Sequence, residues 1–412
     1  MSELHLAYLL KKFPRLSETF VLNEILGQEA LGRRLRVFSR RSRDNEPTHP
    51  QFARMQAEIE VLPPSSEIDP WSELFGPEAD ELLPRVRTLV GDLRPLGHAR
   101  LPSLIAEALL LRRRAREFGI RHVHVHFATD SAITARCLHA LGGPTYSITA
   151  HAKDIYRNTV SPRVLDDLVS NSAFVVTVCD ANVAHMRSVL SPRAAERIRR
   201  LYNGIDLGLF RRPNVERKRA QILSVGRLVE KKGFDVLVDT FALLAERGVD
   251  FEGVIAGDGE DRVLIAAHIA ERGLAGRVRM TGPLDQNAVR ALMHESTLFC
   301  LPCKIGVDGN RDALPTVLLE AQAAELPCVS TPVSGVPEIL DHGRAGLLAP
   351  ENDAAATADA MQRLLLDPAL AAGLRERGLA HVREHFDVAK TSRLLGAWFD
   401  EVTAESACAS ST

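Results

Sequence analysis

Residues 222–244 read Ile-Leu-Ser-Val-Gly-Arg-Leu-Val-Glu-Lys-Lys-Gly-Phe-Asp-Val-Leu-Val-Asp-Thr-Phe-Ala-Leu-Leu. Ile222–Val225 is a short apolar run of strand type, and a glycine-bearing turn follows it. Phe234, Leu237, Val238, Phe241 and Leu244 then recur at helical spacing on one face. The same unit repeats in both directions. Upstream, strands are expected at Leu4–Leu10, Leu35–Ser39, Val123–Phe127, Tyr146–Thr149, Val175–Val178 and Ile198–Leu201. Downstream they are expected at Val254–Ala256, Val278–Thr281, Leu298–Leu301 and Cys328–Thr331. Strands alternating with helices imply an α/β chain with parallel sheets covered on both faces.

The turn formers and charges of Asn203–Arg219 interrupt this alternation and mark a linker. The expected organisation is two doubly wound, Rossmann-like domains, 1–203 and 220–387, joined by 204–219. Ligands of such sheets sit beyond the carboxyl ends of the strands, so a cleft between the domains is the expected site. Arg40–Glu81 is Pro-rich and irregular, and is expected to be a mobile excursion. The small polar tail Thr403–Thr412 is expected to fray.

The chain has 412 residues, enough for two or three domains with their own cores. Its net charge of −2 disfavours binding nucleic acid through phosphate neutralisation. Residues 1–200 carry 28 Lys and Arg against 23 Asp and Glu, a slight bias toward an anionic partner such as a membrane surface. Met1–His5 has no basic region leading into an apolar core, and no stretch is apolar enough to span a bilayer. The six scattered cysteines fit a reducing compartment. A cytoplasmic protein, with peripheral contact to the cytoplasmic face of the inner membrane as an open option, is the expectation.

Three segments carry candidate chemistry. In Asp312–Glu320, Pro315 suits the start of a helix, so the amides of Ala313, Leu314, Pro315's neighbours and Thr316 would face an anion. Acceptors on either side of that turn suit a nucleotide-diphosphate-sugar, with Glu320 on the ribose and Asp312 on the hexose. Asp312 is equally well read as a helix cap. In the opening stretch, Gly226, Arg227 and Lys232 lie at the carboxyl edge of a strand, where the two cations would neutralise a diphosphate. In Lys11–Thr19, Ser17 or Thr19 is placed to cap the next helix, and the amides of Ser17, Glu18 and Thr19 would meet the diphosphate from the other domain.

His122, His124 and His126 alternate on one strand. The expectation is partly solvated histidines and no metal, since no carboxylate or cysteine is near in sequence. His126 is the one placed to line the cleft, on the acceptor side, and His151 is the stronger cleft candidate. Cys300 and Cys303 have the spacing of a redox or zinc pair but no second pair, so plain thiols are expected. Arg112–Arg116 is either a solvated helix face or a contact for anionic lipid.

Together these residues resemble the retaining glycosyltransferase family 4 enzymes of the GT-B fold. The resemblance covers most of the chain. It rests on Asn203-Gly204-Ile205-Asp206, Gly226-Arg227-Leu228 with Lys232-Gly233, Gly257-Asp258-Gly259, Gly335-Val336-Pro337-Glu338 and the two acids Asp312 and Glu320 with seven residues between them. Phe13–Val21 and His124–Ala128 are similar to the colanic-acid-type exopolysaccharide branch. Asp312-Ala313 stands where the family has Glu-Gly.

The resemblance implies a metal-independent hexosyltransferase with no cofactor beyond its nucleotide-sugar co-substrate. The acceptor would be a saccharide, free or lipid-linked, in bacterial exopolysaccharide synthesis. His151, Arg227, Lys232 and Asp312 would be the catalytic set. His151 would hold the hexose, and Arg227 and Lys232 would stabilise the leaving diphosphate. It also implies that a final helix, 388–402, crosses back onto the N-terminal domain with Trp398 and Phe399 as anchors. Two alternatives stand beside this expectation: a catalytically degenerate nucleotide-sugar-binding subunit, and a sugar-nucleotide epimerase of the same fold.

Overall fold

The computed structural model describes residues 5–15, 18–43, 49–98, 100–211, 217–218 and 220–409, with side chains to residue 404. Two parallel sheets share the chain. The first contains β1 (Leu6–Leu10), β2 (Leu35–Ser39), β3 (Glu58–Val61), β4 (His122–His126), β5 (Thr145–Ala150), β6 (Phe174–Thr177) and β7 (Ile198–Arg200), in the order β3-β2-β1-β4-β5-β6-β7. The second contains β8 (Gln221–Val225), β9 (Glu252–Ala256), β10 (Val278–Gly282), β11 (Leu298–Leu301), β12 (Cys328–Ser330) and β13 (Leu347–Leu348), in the order β10-β9-β8-β11-β12-β13. The strand order reverses between β1 and β4 and again between β8 and β11. Each reversal opens a crevice at the carboxyl ends of its strands.

Burial explains why the strands are so apolar. Ala7, Leu9, Val125 and Ile148 are buried on one face of the first sheet, Leu6, Tyr8 and Val176 on the other, and Ile222, Val254, Phe299 and Val329 within the second domain. Glycine is needed where the loops of the second domain touch. At Gly257 (φ 144°) a Cβ would lie 1.9 Å from the carbonyl oxygen of Gly226, and at Gly233 (φ 68°) 1.9 Å from that of Pro302. These close approaches set the β8 loop against the β9 loop at Gly257 and against the β11 loop at Gly233.

Several expectations are corrected. Arg40–Glu81 supplies the edge strand β3, paired parallel to β2, and the helices Trp71–Leu74 and the start of Ala79–Leu93, although residues 44–48 lie outside the described ones. Its acids explain its order. Arg112 meets Glu78 at 2.6 Å, Arg113 meets Glu73 at 3.2 Å, Arg114 meets Glu60 at 2.9 Å, and Arg116 also pairs with Glu78. The arginine run is therefore tied down by acids: Arg112 is buried, while Arg113 and Arg116 stay on the solvated side of their helix. The tail does not fray at residue 403, because the last helix runs from Val388 to Ala409.

That helix lies on the first sheet beside helix Thr19–Ala30. Leu395, Phe399 and Val402 are buried with Tyr8, Val21 and Phe174, and Trp398 packs edge-on to Phe174. The chain passes between the domains at two adjacent places. Ile205 donates to the Phe386 carbonyl at 2.9 Å, and Val388 donates back to Ile205 at 3.0 Å. No described helix is long and apolar enough to cross a membrane.

Candidate active site

The two crevices face each other, and the motif residues of the second domain cluster at the β8–β11 reversal. The loop after β8 ends in a 3-10 turn, Glu230–Lys232, pinned by Gly233. The loop after β11 brings Asp312 to the same point. Lys231 Nζ lies 2.7 Å from Asp312 Oδ1, and Lys232 Nζ pairs with Oδ2. Burial alone would raise the Asp312 carboxyl; Lys232 and Lys231 outweigh it and hold the group well below the usual carboxylate range. Burial likewise works against the Lys232 ammonium, but Asp312 and Glu320 more than restore it, and its pKa is raised. Asp312 therefore does not cap the helix. Pro315 is the residue before the first turn of helix Thr316–Ala323.

Glu320 is on that helix, half-buried. Burial pushes its carboxyl up to about 7 against the charges of Lys232 and Arg290. Ala313 and Leu314 are buried, and the Ala313 carbonyl accepts from the Gly335 amide at 2.8 Å. Gly226 lies over the Lys232 stem. Arg227, by contrast, is turned to solvent and pairs with Glu260 at 2.8 Å, so the two expected cations are not together; Lys231 takes the place foreseen for Arg227.

From the first domain, His151 faces this group closely enough that Lys231 contributes to its electrostatics. Its ring lies between Phe20 and Phe127, at centroid distances of 4.7 and 4.4 Å. Its amide donates to Asp154 Oδ1 at 3.0 Å. Burial first, then His126, Lys153 and Lys231, depress its pKa well below the ordinary histidine value, so the ring is neutral. Glu18 pairs with Arg15 at 2.8 Å, and Thr19 is the first helical residue rather than a cap. Ser17 lies outside the described residues. The domains also touch around the cleft: Asn158 donates to the Asp308 carbonyl at 3.0 Å, Arg311 covers the Tyr156 ring at 4.2 Å, and Glu338 accepts from the Asp180 amide at 2.9 Å.

The three strand histidines are buried, not partly solvated, because β4 is an interior strand. Its register with β5 sets His122 beside Thr145, His124 beside Ser147 and His126 beside Thr149. Hydroxyls satisfy the first two rings at 2.7–2.9 Å. His126 does not line the cleft; it sits behind His151, with His126 Nδ1 3.3 Å from His151 Nε2. The carboxylate absent from the neighbouring sequence arrives from helix Thr19–Ala30: Glu24 Oε1 is 3.2 Å from His126 Nε2. Glu24, His124 and His126 are the one group among the described residues whose ligand atoms converge enough to hold a metal ion, all within 4.8 Å. Sequence reading misses Glu24, whose only signal is an acid one turn after Phe20 on the apolar face of its helix. Cys137, Cys179, Cys300, Cys303 and Cys328 are buried free thiols, as expected of the Cys300/Cys303 spacing without a second pair.

Known proteins place this architecture. The family model described as "Glycosyltransferase Family 4" matches residues 17–209, and that described as "Glycosyl transferases group 1" matches residues 209–381. The amylovoran biosynthesis glycosyltransferase AmsK of Erwinia amylovora is 28% identical over 374 residues, 87% of this chain and 90% of the relative. The putative colanic acid biosynthesis glycosyltransferase WcaL of Escherichia coli K12 is 28% identical over 370 residues, 85% of this chain and 88% of the relative. Among solved structures, Anabaena HepE in complex with UDP and glucose superposes with a TM-score of 0.69 at 15% identity, covering 95% of this chain and 98% of that one, a likeness of fold. With one family model on each domain and the paired crevices between them, the chain belongs to the family 4, group 1 glycosyltransferases of GT-B fold.

Proposed function

We propose that the protein is a retaining, metal-independent hexosyltransferase. It moves a hexose from a nucleotide-diphosphate-sugar to a hydroxyl of a saccharide, free or lipid-linked, in exopolysaccharide assembly. The observation that carries this reading is the Lys231–Lys232–Asp312 cluster beside Glu320, set at the strand-order reversal and facing a neutral His151. Two ammonium groups at a helix start suit a diphosphate, and a glycosidase would instead need a carboxylate pair flanking a neutral sugar.

In this reading the ribose hydroxyls donate to Glu320 and the diphosphate shares the lysines with Asp312. The acceptor oxygen attacks the anomeric carbon from the side of the leaving group as the carbon–phosphate oxygen bond breaks. The acceptor proton passes to the departing phosphate, and Lys232 offsets the charge that develops there. AmsK and WcaL, named for exopolysaccharide synthesis, support the substrate class, and the UDP and glucose of HepE support the donor class.

A thermal-shift panel of UDP, GDP, ADP and their hexose conjugates tests the reading. One nucleotide series is expected to stabilise the wild type by ~2.7 kcal/mol at ~100 times its dissociation constant, and not to stabilise Glu320→Ala. Product release with that donor and a saccharide acceptor separates a transferase from a binding subunit. No response to any nucleotide overturns the reading.

The raised Glu320 pKa adds a pH dependence. Its folded value near 7 lies above the unfolded value, so its stabilising contribution is complete below about 4.3 and is lost as pH rises through about 7. Donor hydroxyls prefer the carboxylate. Affinity for an intact nucleotide-sugar, whose diphosphate stays ionised, should therefore tighten from pH 6 to pH 8 in titration calorimetry. Glu320→Gln should flatten that profile; an unchanged profile removes Glu320 from the donor site.

A further inference from the structure

The donor reading uses the crevice of the second sheet. The first sheet has a crevice of its own, where β1 and β4 meet, and three loops border it. Lys11 directly follows β1, Phe127 directly follows β4, and Lys153 comes just after β5. Phe127 is held at φ 72°, a left-handed setting that few aromatic residues adopt. Its amide donates to the Thr149 carbonyl at 2.8 Å, and its carbonyl accepts from the Thr129 amide at 2.8 Å. The ring then lies against His151 at 4.4 Å and under Lys153 Nζ at 4.0 Å.

The charges around this ring do not cancel. Glu18 is engaged by Arg15 at 2.8 Å. Asp154 is engaged by two amides, that of Ala128 at 2.6 Å and that of His151 at 3.0 Å. Among the described residues no carboxylate comes within ion-pair distance of Lys153 or Lys11. Arg15 and Lys11 are nevertheless near enough to bear on the Lys153 ammonium. Arg15 Nε is buried and has no hydrogen-bond partner among the described residues. Phe127 engages one side of the Lys153 ammonium, and N–H donors remain for a ligand. Cations gathered in one crevice repel each other, and an anionic ligand removes that cost. His151 feels one lysine from each domain, Lys153 and Lys231. The donor diphosphate takes Lys231 and Lys232, so the first-domain cations call for a second anion.

We propose that Lys153, with Lys11 and Arg15, forms an anion subsite for the acceptor, so that the saccharide receiving the hexose is an acidic one. Its oxyanion is either the carboxylate of a uronic acid or a phosphate ester. The inference rests on the transfer reading for the ligand's role as acceptor, and on the unneutralised cations for its charge.

The test uses the full chain saturated with the nucleoside diphosphate it binds, so that the second-domain lysines are already taken. Methyl glucuronide and methyl glucoside differ only in a carboxylate against a hydroxymethyl group, and glucose 1-phosphate supplies the phosphate. In ligand-observed NMR titrations, at least one acidic probe should bind about 10–100-fold tighter than methyl glucoside, as for a charge-assisted hydrogen bond. A preference for the glucuronide marks a uronic acid, and one for glucose 1-phosphate marks a phosphate ester. Lys153→Met should remove most of the preference, Lys11→Met should reduce it and Lys153→Arg should keep it, all with nucleotide affinity unchanged. Equal binding of acidic and neutral probes, no binding of either acidic probe, or a preference that survives in Lys153→Met overturns the proposal. So does a loss of nucleotide affinity in Lys153→Met, which would put that lysine on the donor. If no nucleotide binds the wild type, the transfer reading fails by itself. The same probes on the nucleotide-free chain, with Lys232→Ala as the control for the second domain, then still decide the subsite.

Discussion

Lys232→Ala should lower kcat by ~10²–10³-fold, the usual loss when one preorganised charge at a developing anion is removed. The structure makes this a clean experiment. Asp312 stays paired with Lys231 at 2.7 Å, so no buried carboxylate is left without a cation and the fold should hold. Asp312→Ala would be harder to interpret, because it leaves two neighbouring ammonium groups facing each other. Arg227→Ala serves as the contrast. That side chain is solvent-exposed on Glu260, and its removal should cost far less. Steady-state kinetics with the donor found by thermal shift reads both variants. A Lys232→Ala enzyme within a few-fold of wild type would remove the lysine from the reaction.

Phe399→Ala should destabilise the protein by ~3–5 kcal/mol. The ring is fully buried and touches His124, His122, Phe174 and Tyr8 at centroid distances of 5.2, 5.7, 6.1 and 6.5 Å. Two of those neighbours, His122 and His124, are themselves fixed by hydroxyl pairs to β5 and cannot move into the space without breaking them. Trp398→Ala, at a partly buried position, should cost less. Urea denaturation monitored on the first transition gives both values, and a loss under ~1 kcal/mol for Phe399→Ala would contradict the packing described.

The legible parts of the chain were those in which local pattern and tertiary role coincide. Runs such as Val254–Ala256 and Leu298–Leu301 are buried throughout, so continuous apolarity marks them as strands. β3 was missed because Glu58-Ile59-Glu60-Val61 is a short edge strand whose acids serve Arg36 and Arg114, a pattern that resembles a loop. β13, with two residues, carries no periodicity at all. The tail after Thr403 looked too small and polar to stay ordered, yet it continues a helix already anchored at Phe399.

The site divides in the same way. The turn before Thr316 and Lys232 after β8 could be found from sequence, because helix starts and strand ends have local signatures. Which cation meets Asp312 could not. Arg227 and Lys231 lie on the same loop, and local pattern does not distinguish the one that turns out to Glu260 from the one that turns in to Asp312. The pairing of Glu24 with His126 spans 102 positions and arises from strand order alone.

The paired crossings at Ile205 and Asp387 have a mechanical meaning. Two backbone segments laid side by side, each hydrogen-bonded to the other, behave as a leaf spring: compliant to bending across their common plane and stiff to torsion. A Cβ at Gly204 would come 2.5 Å from the Val388 Cα, so the two leaves are in contact without a spacer. A side chain at position 204 would therefore wedge the two crossings apart at the point where both segments pass between the lobes.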